Sequence, residues 1–150
     1  MMGEQRDRLK SQTDVVQLSF DFAVSIVKVV GDLPRTTTGF ELGRQMIRSG
    51  TSIGANVEEA QGARTKPEFI NSMNIAKREA RETRFWLRVL GASHLLKPEV
   101  VGNLIADVEC LIRILTAIVK TAERHYSGRR SSVIHHPASS ISGKRGNHDY

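Results

Sequence analysis

Residues 49–69 read SGTSIGANVEEAQGARTKPEF, and this stretch decides the fold because it holds the end of one helix and the start of the next. Ile53 and Val57 keep a helical spacing, yet Gly50 and Gly54 stand on the same face. A glycine inside a helix costs about 1 kcal/mol relative to alanine. Repeated glycines on one face therefore predict the close approach of another helix, with a ligand pocket lined by bare backbone as the alternative.

The same stretch contains the boundary between two helices. Thr65 and Glu68 have the spacing of a capping box, in which the threonine side chain accepts a bond from a first-turn amide and the glutamate reaches back. Pro67 suits a first turn, where its missing amide hydrogen costs nothing. The second helix is therefore predicted over about residues 40–63 and the third from this box to about residue 93.

Two further helices are predicted, one before and one after this pair in the sequence. The first is predicted over about residues 14–31, and Pro34 with three threonines marks a connection at residues 33–39. The fourth opens at Pro98 and keeps a three-four spacing to about Tyr126. The predicted core faces are Val15, Leu18, Phe22, Ile26 and Val29; Gly43, Met46, Ile47, Gly50, Ile53, Gly54 and Val57; Phe69, Met73, Ala76, Ala80, Thr83, Leu87 and Leu90; and Val101, Leu104, Ile105, Val108, Leu111, Ile112, Leu115, Ile118, Val119 and Ala122.

These four segments predict an all-α protein, an antiparallel up-down four-helix bundle over residues 14–126. We expect residues 1–13 to be a flexible N-terminus. Residues 127–150 are rich in serine, glycine and histidine and have no periodicity, so they predict a disordered basic tail. Half of the net charge of +6 lies in that tail, so the overall charge is weak evidence for a nucleic-acid partner.

Several classes of protein are disfavoured by the residues that the sequence lacks. It has no apolar run of about 18 residues, so we expect no membrane span. Its one cysteine, Cys110, excludes an internal disulfide, favours the cytoplasm and is predicted to be an inert buried thiol. It has no Gly-rich phosphate loop, no HExxH and no carboxylate-histidine pair for a di-iron site. We therefore expect no catalytic site, no metal and no cofactor.

Four basic residues recur on one side of the third helix: Lys77, Arg81, Arg84 and Arg88. At about 100° per residue each lies within about 40° of Lys77, away from the core face. They form a basic stripe about 16 Å long, which predicts contact with the phosphates of RNA or DNA, helped by Arg129 and Arg130 of the tail. The alternatives are a solvated face with internal pairs such as Arg78 with Glu82, and an ion-pair seam between subunits.

A polar band lies beside the glycine face and consists of Gln45, Ser49, Ser52, Asn56 and Glu59, with Arg48 at its edge. The band is either a solvated flank or a hydrogen-bonded subunit interface. Trp86 of the third helix likewise suits either an interface or the core.

Two motifs here carry a family resemblance. RSGTSIGANVEEAQGAR at residues 48–64 and EFINSMNIAKREARETRFWLRVL at residues 68–90 resemble the four-helix-bundle proteins encoded in intervening sequences of bacterial 23S ribosomal RNA genes, often labelled S23. Ser52, Ile53, Asn56, Val57 and Glu59 match the first hallmark, with Val57 in place of the usual isoleucine. The second hallmark is matched by Glu79, Ala80, Glu82, Thr83, Trp86 and Leu87.

The resemblance implies a helical bundle that assembles into a ring-like homopentamer and has no associated enzymatic activity. It also implies a fold similar to the accessory proteins of diversity-generating retroelements, which bind nucleic acid and a reverse transcriptase. The function predicted is a non-enzymatic oligomeric protein that binds nucleic acid through the basic stripe. The alternative is a scaffold or accessory protein whose main partner is another protein, such as a reverse transcriptase.

Overall fold

A computed structural model describes the backbone of residues 2–132 and the side chains of residues 14–129. The described chain forms four helices, α1 (Met2–Val30), α2 (Thr37–Gln61), α3 (Lys66–Ala92) and α4 (Pro98–Ser132). It contains no strand, so the all-α prediction is confirmed for this part of the chain. The helix α1 begins well before the predicted residue 14, and α4 continues past Tyr126. Of the predicted disordered tail, residues 127–132 are helical as the last turns of α4, and residues 133–150 lie outside the described residues.

The start of α2 differs from the prediction because of one threonine. Thr36 is the N-cap, and its side-chain oxygen accepts a hydrogen bond from the amide of Gly39 at 3.1 Å. A threonine side chain that satisfies a first-turn amide stabilises a helix start. This cap outweighs the weak helix preference of the β-branched residues that follow, so α2 begins at Thr37 rather than at about residue 40.

The ends of α3 are both defined by local hydrogen bonds. Thr65 caps the helix as predicted, with its side chain accepting from the amide of Glu68 at 3.3 Å, whereas the Glu68 carboxylate accepts from the amide of Arg64 instead of closing the box on Thr65. At the C-terminus, the amide of Leu95 donates to the carbonyl of Leu90 at 3.1 Å. This Schellman geometry places His94 at a φ of 57°, a region that favours glycine.

The glycines of α2 allow α1 to pack closely against it. A Cβ added at Gly50 would lie 2.9 Å from both γ carbons of Ile26, and one added at Gly54 would lie 3.2 Å from the carbonyl oxygen of Ser19. Because later residues of α2 contact earlier residues of α1, the two helices run antiparallel. The close-packing interpretation of the glycine face is confirmed.

The helices contact one another in chain order, and α4 returns to α1 through the least extensive of the four contacts. The helices α1 and α3 are therefore diagonal in the bundle. Most residues of the predicted core faces are buried. The predictions for Leu18 and Ile47 were wrong, since both side chains are exposed. Ser19 is fully buried in place of Leu18, because its backbone lies against Gly54 and leaves room only for a small side chain.

Candidate nucleic-acid interface

An arginine of α2 binds two carboxylates of α3. Arg48 donates from Nη1 to Oε2 of Glu79 at 3.4 Å, and its Nη2 pairs with Oε1 of Glu82. The indole nitrogen of Trp86 donates to the same Glu82 oxygen at 3.3 Å. We call Arg48, Glu79, Glu82 and Trp86 the clasp. It ties α2 to α3 and fixes which way the carboxylates of α3 point.

Two buried hydroxyl groups lie directly below the clasp. Thr83 contacts Ser49 with 3.0 Å between their oxygens, and both residues are fully buried. Each hydroxyl also lies within hydrogen-bond distance of a carbonyl four residues earlier in its own helix, 3.0 Å for Ser49 and 2.8 Å for Thr83. The two hydroxyl protons are shared among these three contacts. Among the described residues, no buried side-chain polar atom is left without a hydrogen-bond partner.

The rest of the polar band does not join the clasp. Asn56 donates to the carbonyl of Ser52 at 2.8 Å and to its hydroxyl at 3.2 Å, which are bonds within α2. Glu59 is exposed. Of the motif residues predicted as an interface, only the four of the clasp are brought together across two helices.

The basic stripe lies on the side of α3 that faces away from the clasp. Arg81 and Arg88 are exposed, whereas Lys77 and Arg84 are half-buried. None of the four forms an ion pair with a carboxylate in the described part of the chain. Long basic side chains can bury their aliphatic stems while the charged groups stay in water. The stripe therefore presents four cationic groups that no described carboxylate pairs.

The predicted intrahelical pair between Arg78 and Glu82 does not form. Glu82 stands four residues after Arg78, but its carboxylate is engaged by Arg48 and Trp86. Glu79 is also turned toward α2. The clasp thus holds Glu79 and Glu82 on the side of α3 opposite the four cations of the stripe.

The stripe borders α4. A Cβ added at Gly91 would meet Val101 at 3.0 Å, so this side of α3 packs against α4. Arg84 lies seven residues before Gly91, and about 100° per residue places the two on the same side of the helix. The surface available to a ligand is consequently the edge along α3 next to α4.

A model of the 23S rRNA-intervening sequence protein family matches residues 11–117. The chain belongs to this family. A crystal structure of a protein of unknown function from the S23 ribosomal protein family of Bacteroides thetaiotaomicron is similar to it, with 36% identity and a TM-score of 0.70. That similarity covers 73% of this chain and 98% of the other. None of the curated proteins compared with the chain matches it.

The predicted basic residues of the tail, Arg129 and Arg130, do not extend the stripe at its Arg88 end. Arg129 is exposed near the C-terminus of α4, and the side chain of Arg130 lies outside the described residues. Because α4 runs back alongside α3, Arg129 lies at the end where α3 begins. Arg88 lies near the end where α3 finishes. The structure therefore does not place Arg129 beside Arg88.

Three further predictions concerned a metal site, a membrane span and the burial of Cys110. Within the described residues, no group of three His, Cys, Asp or Glu side chains is arranged to hold a metal ion. None of the described helices is long and apolar enough to cross a membrane. Cys110 was predicted to be buried, but it is partly exposed in a narrow groove between α1 and α4, beside Asp21 and Asp107.

Sequence reasoning missed one surface. Six large apolar side chains of α1 and α2 are exposed, and Leu18 stands apart from the others on α1. We call the remaining five the apolar face: Phe20, Val24, Val27, Phe40 and Ile47. On α1, the spacing of four and then three residues from Phe20 was a detectable signal, since it forms a second apolar stripe on the far side of the helix from the core face. On α2, Ile47 was predicted to lie in the core, so the sequence provided no reason to count it as part of an exposed surface.

Proposed function

We propose that this protein is a non-enzymatic nucleic-acid-binding protein of the cytoplasm, and that the basic stripe of α3 is the contact surface. The supporting observation is the set of four cationic side chains without described ion pairs on one edge of the bundle. The clasp strengthens the argument, because it holds the nearest carboxylates of α3 on the other side of the helix. A surface of unpaired cations favours a polyanion.

The form of the stripe suits the phosphate backbone. Lys77 and Arg88 are separated by eleven residues, or about 16 Å along the helix axis. Duplex DNA carries one negative charge per about 1.7 Å of its axis, so a straight row of cations meets several phosphates whatever the sequence. Contacts with phosphates position a protein but carry no base information. We therefore propose binding that tolerates many sequences in RNA or DNA.

Fluorescence anisotropy with labelled structured RNA and duplex DNA tests this proposal. Four phosphate contacts predict a slope of about −3.6 in log affinity against log salt, or about 150-fold weaker binding to duplex DNA at ~200 mM than at ~50 mM salt. Lys77/Arg81/Arg84/Arg88→Ala should abolish most of the binding and of this slope.

A matched variant controls for net charge. Lys28, Arg64, Lys97 and Arg124 are exposed and lie off the stripe, so replacing all four by alanine removes the same charge. This variant should keep most of the affinity. Equal losses in the two variants, or binding that does not change with salt, would refute the stripe as the site. A chain that ends at Tyr126 separates the contribution of Arg129 and Arg130.

We also propose that the protein self-associates, as a homopentamer if it follows the assembly that the family resemblance implies. The apolar face supports association, because large exposed apolar patches on soluble domains are typical of interaction sites. The clasp offers less support for an interface at Trp86, since the indole nitrogen already bonds within the chain.

A second candidate function is a scaffold for another protein, such as a reverse transcriptase. The same unpaired cations of α3 favour it, because an acidic protein surface satisfies them as well as phosphate does. Pull-down with nuclease treatment discriminates the two functions. A protein partner that remains bound through the stripe after nucleic acid is digested supports the scaffold.

A further inference from the structure

The apolar face continues into an open groove between α1 and α2. The groove has a volume of about 980 Å³, and its apolar lining includes Val27, Leu33, Phe40 and Ile47. Its charged lining residues are all basic: Arg35, Arg44 and Arg48. Arg48 is engaged by the clasp, which leaves Arg35 and Arg44 without a described ion pair. A complementary surface would carry apolar side chains and carboxylates.

A surface of that kind exists on the same molecule. The narrow groove between α1 and α4, about 150 Å³, is lined by Leu18, Phe22, Cys110 and Leu111 together with Asp21 and Asp107. No basic residue lines it. Leu18 projects there as an exposed apolar side chain. We call this surface the acidic groove.

We propose that the occupant of the apolar face is the acidic groove of a second copy of this chain. The inference rests on the proposed self-association and names its two surfaces. Arg35 and Arg44 of one copy face Asp21 and Asp107 of the next, and Leu18 enters the apolar groove. Complementary charges at the edge of an interface set its partner and register, while the apolar residues supply most of its stability.

The placement of the two surfaces determines the kind of assembly. They are different surfaces, so the contact is heterologous and each copy uses one of them toward each neighbour. They lie on adjacent sides of the bundle that share α1, rather than on opposite sides. A head-to-tail contact between adjacent sides turns the row of copies at every step, which favours a closed ring over a straight filament. The basic stripe lies on α3, diagonal to α1, and stays free for another ligand.

Two variants that each disable one surface test this pairing. Phe40→Glu/Ile47→Glu places acids on the apolar face, and Leu18→Arg/Asp107→Arg places bases in the acidic groove. All four positions are exposed, so both variants should keep the circular dichroism spectrum of the parent. Phe85→Glu, an exposed aromatic on α3, is the matched control and should keep the parent's mass.

Light scattering should show the parent as a multiple of its 16.7 kDa chain and each surface variant alone as a monomer. An equimolar mixture of the two variants should rise in mass at least to that of a one-to-one dimer, because one variant keeps the acidic groove and the other keeps the apolar face. Dimers formed by either variant alone would overturn the heterologous pairing. An assembled parent whose mass neither variant changes would refute these surfaces while self-association stands. A monomeric parent would refute self-association as well.

Discussion

Gly50→Ala tests whether the close approach of α1 to α2 is what requires glycine in the middle of a helix. Alanine is favoured over glycine in a helix by about 1 kcal/mol. Against this, the new Cβ would lie 2.9 Å from both γ carbons of Ile26, which is fully buried and has no room to swing away. Overpacking of this kind costs about 1–3 kcal/mol. We expect a net loss of about 1 kcal/mol in the free energy of unfolding.

Ile26→Ala removes the two γ carbons that lie nearest to the added Cβ. Alone it should lower the free energy of unfolding by about 2–5 kcal/mol, as large-to-small changes in a core do. In that background Gly50→Ala meets no γ carbon, and the remaining contact with the Cβ of residue 26 at 3.2 Å is relieved by a small shift into the space that the side chain left. It should therefore stabilise by about 1 kcal/mol through helix preference. The sign of the Gly50→Ala effect therefore reverses between the two backgrounds, with a coupling of about 2 kcal/mol between the sites.

Urea unfolding followed by circular dichroism measures the free energy of unfolding of the parent, the two single variants and the double variant, at one fixed protein concentration. Gly102→Ala is the matched control, because a Cβ at Gly102 would meet nothing within 4 Å, and it should stabilise by about 1 kcal/mol in both backgrounds. If the effects of Gly50→Ala and Ile26→Ala add to within about 0.5 kcal/mol, the steric argument is refuted.

Three other substitutions have effects that follow from local geometry, each measurable by the same unfolding assay. His94→Gly should stabilise by about 1 kcal/mol, since His94 has a φ of 57°; an unchanged or lower stability would show that its side chain has a stabilising role. Gly39→Ala should destabilise by about 2 kcal/mol or more, because its Cβ would lie 1.9 Å from the carbonyl oxygen of Pro34, and a neutral result would contradict the tight turn before α2. Arg48→Ala should lower stability by about 1–3 kcal/mol, since it leaves the largely buried Glu79 carboxylate without its partner. A loss below about 0.5 kcal/mol would show that the clasp is a solvent-screened pair.

The features that sequence predicts well are those that depend on residues near one another in the chain. The Thr65 cap and the glycine face of α2 both follow from spacing within one helix. Leu18 shows the limit of such spacing, because it falls within the apolar arc of α1 and yet is exposed. How wide a buried arc is depends on how closely the neighbouring helices pack, and α4 contacts α1 only lightly.

The clasp was beyond sequence reasoning for a different reason. Its charged residues were visible in the two motifs, but spacing within α3 pointed to pairing between Arg78 and Glu82. The actual partner, Arg48, lies 34 residues before Glu82. Which residue faces which across two helices depends on their relative rotation, and a single sequence contains no direct measure of it. The lack of ion pairs along the basic stripe was unpredictable for the same reason.

On the proposed pairing, the light contact between α1 and α4 makes the stability of each chain depend on the protein concentration. The first and last helices of the bundle meet along its weakest seam, and the acidic groove opens along that seam. On this pairing, a copy seated there would bind only the folded state, and mass action would add about 2.7 kcal/mol of stability at a hundredfold excess over the dissociation constant. Dilution should then lower the melting temperature, and amide hydrogen exchange should rise in α1 before it rises in α3.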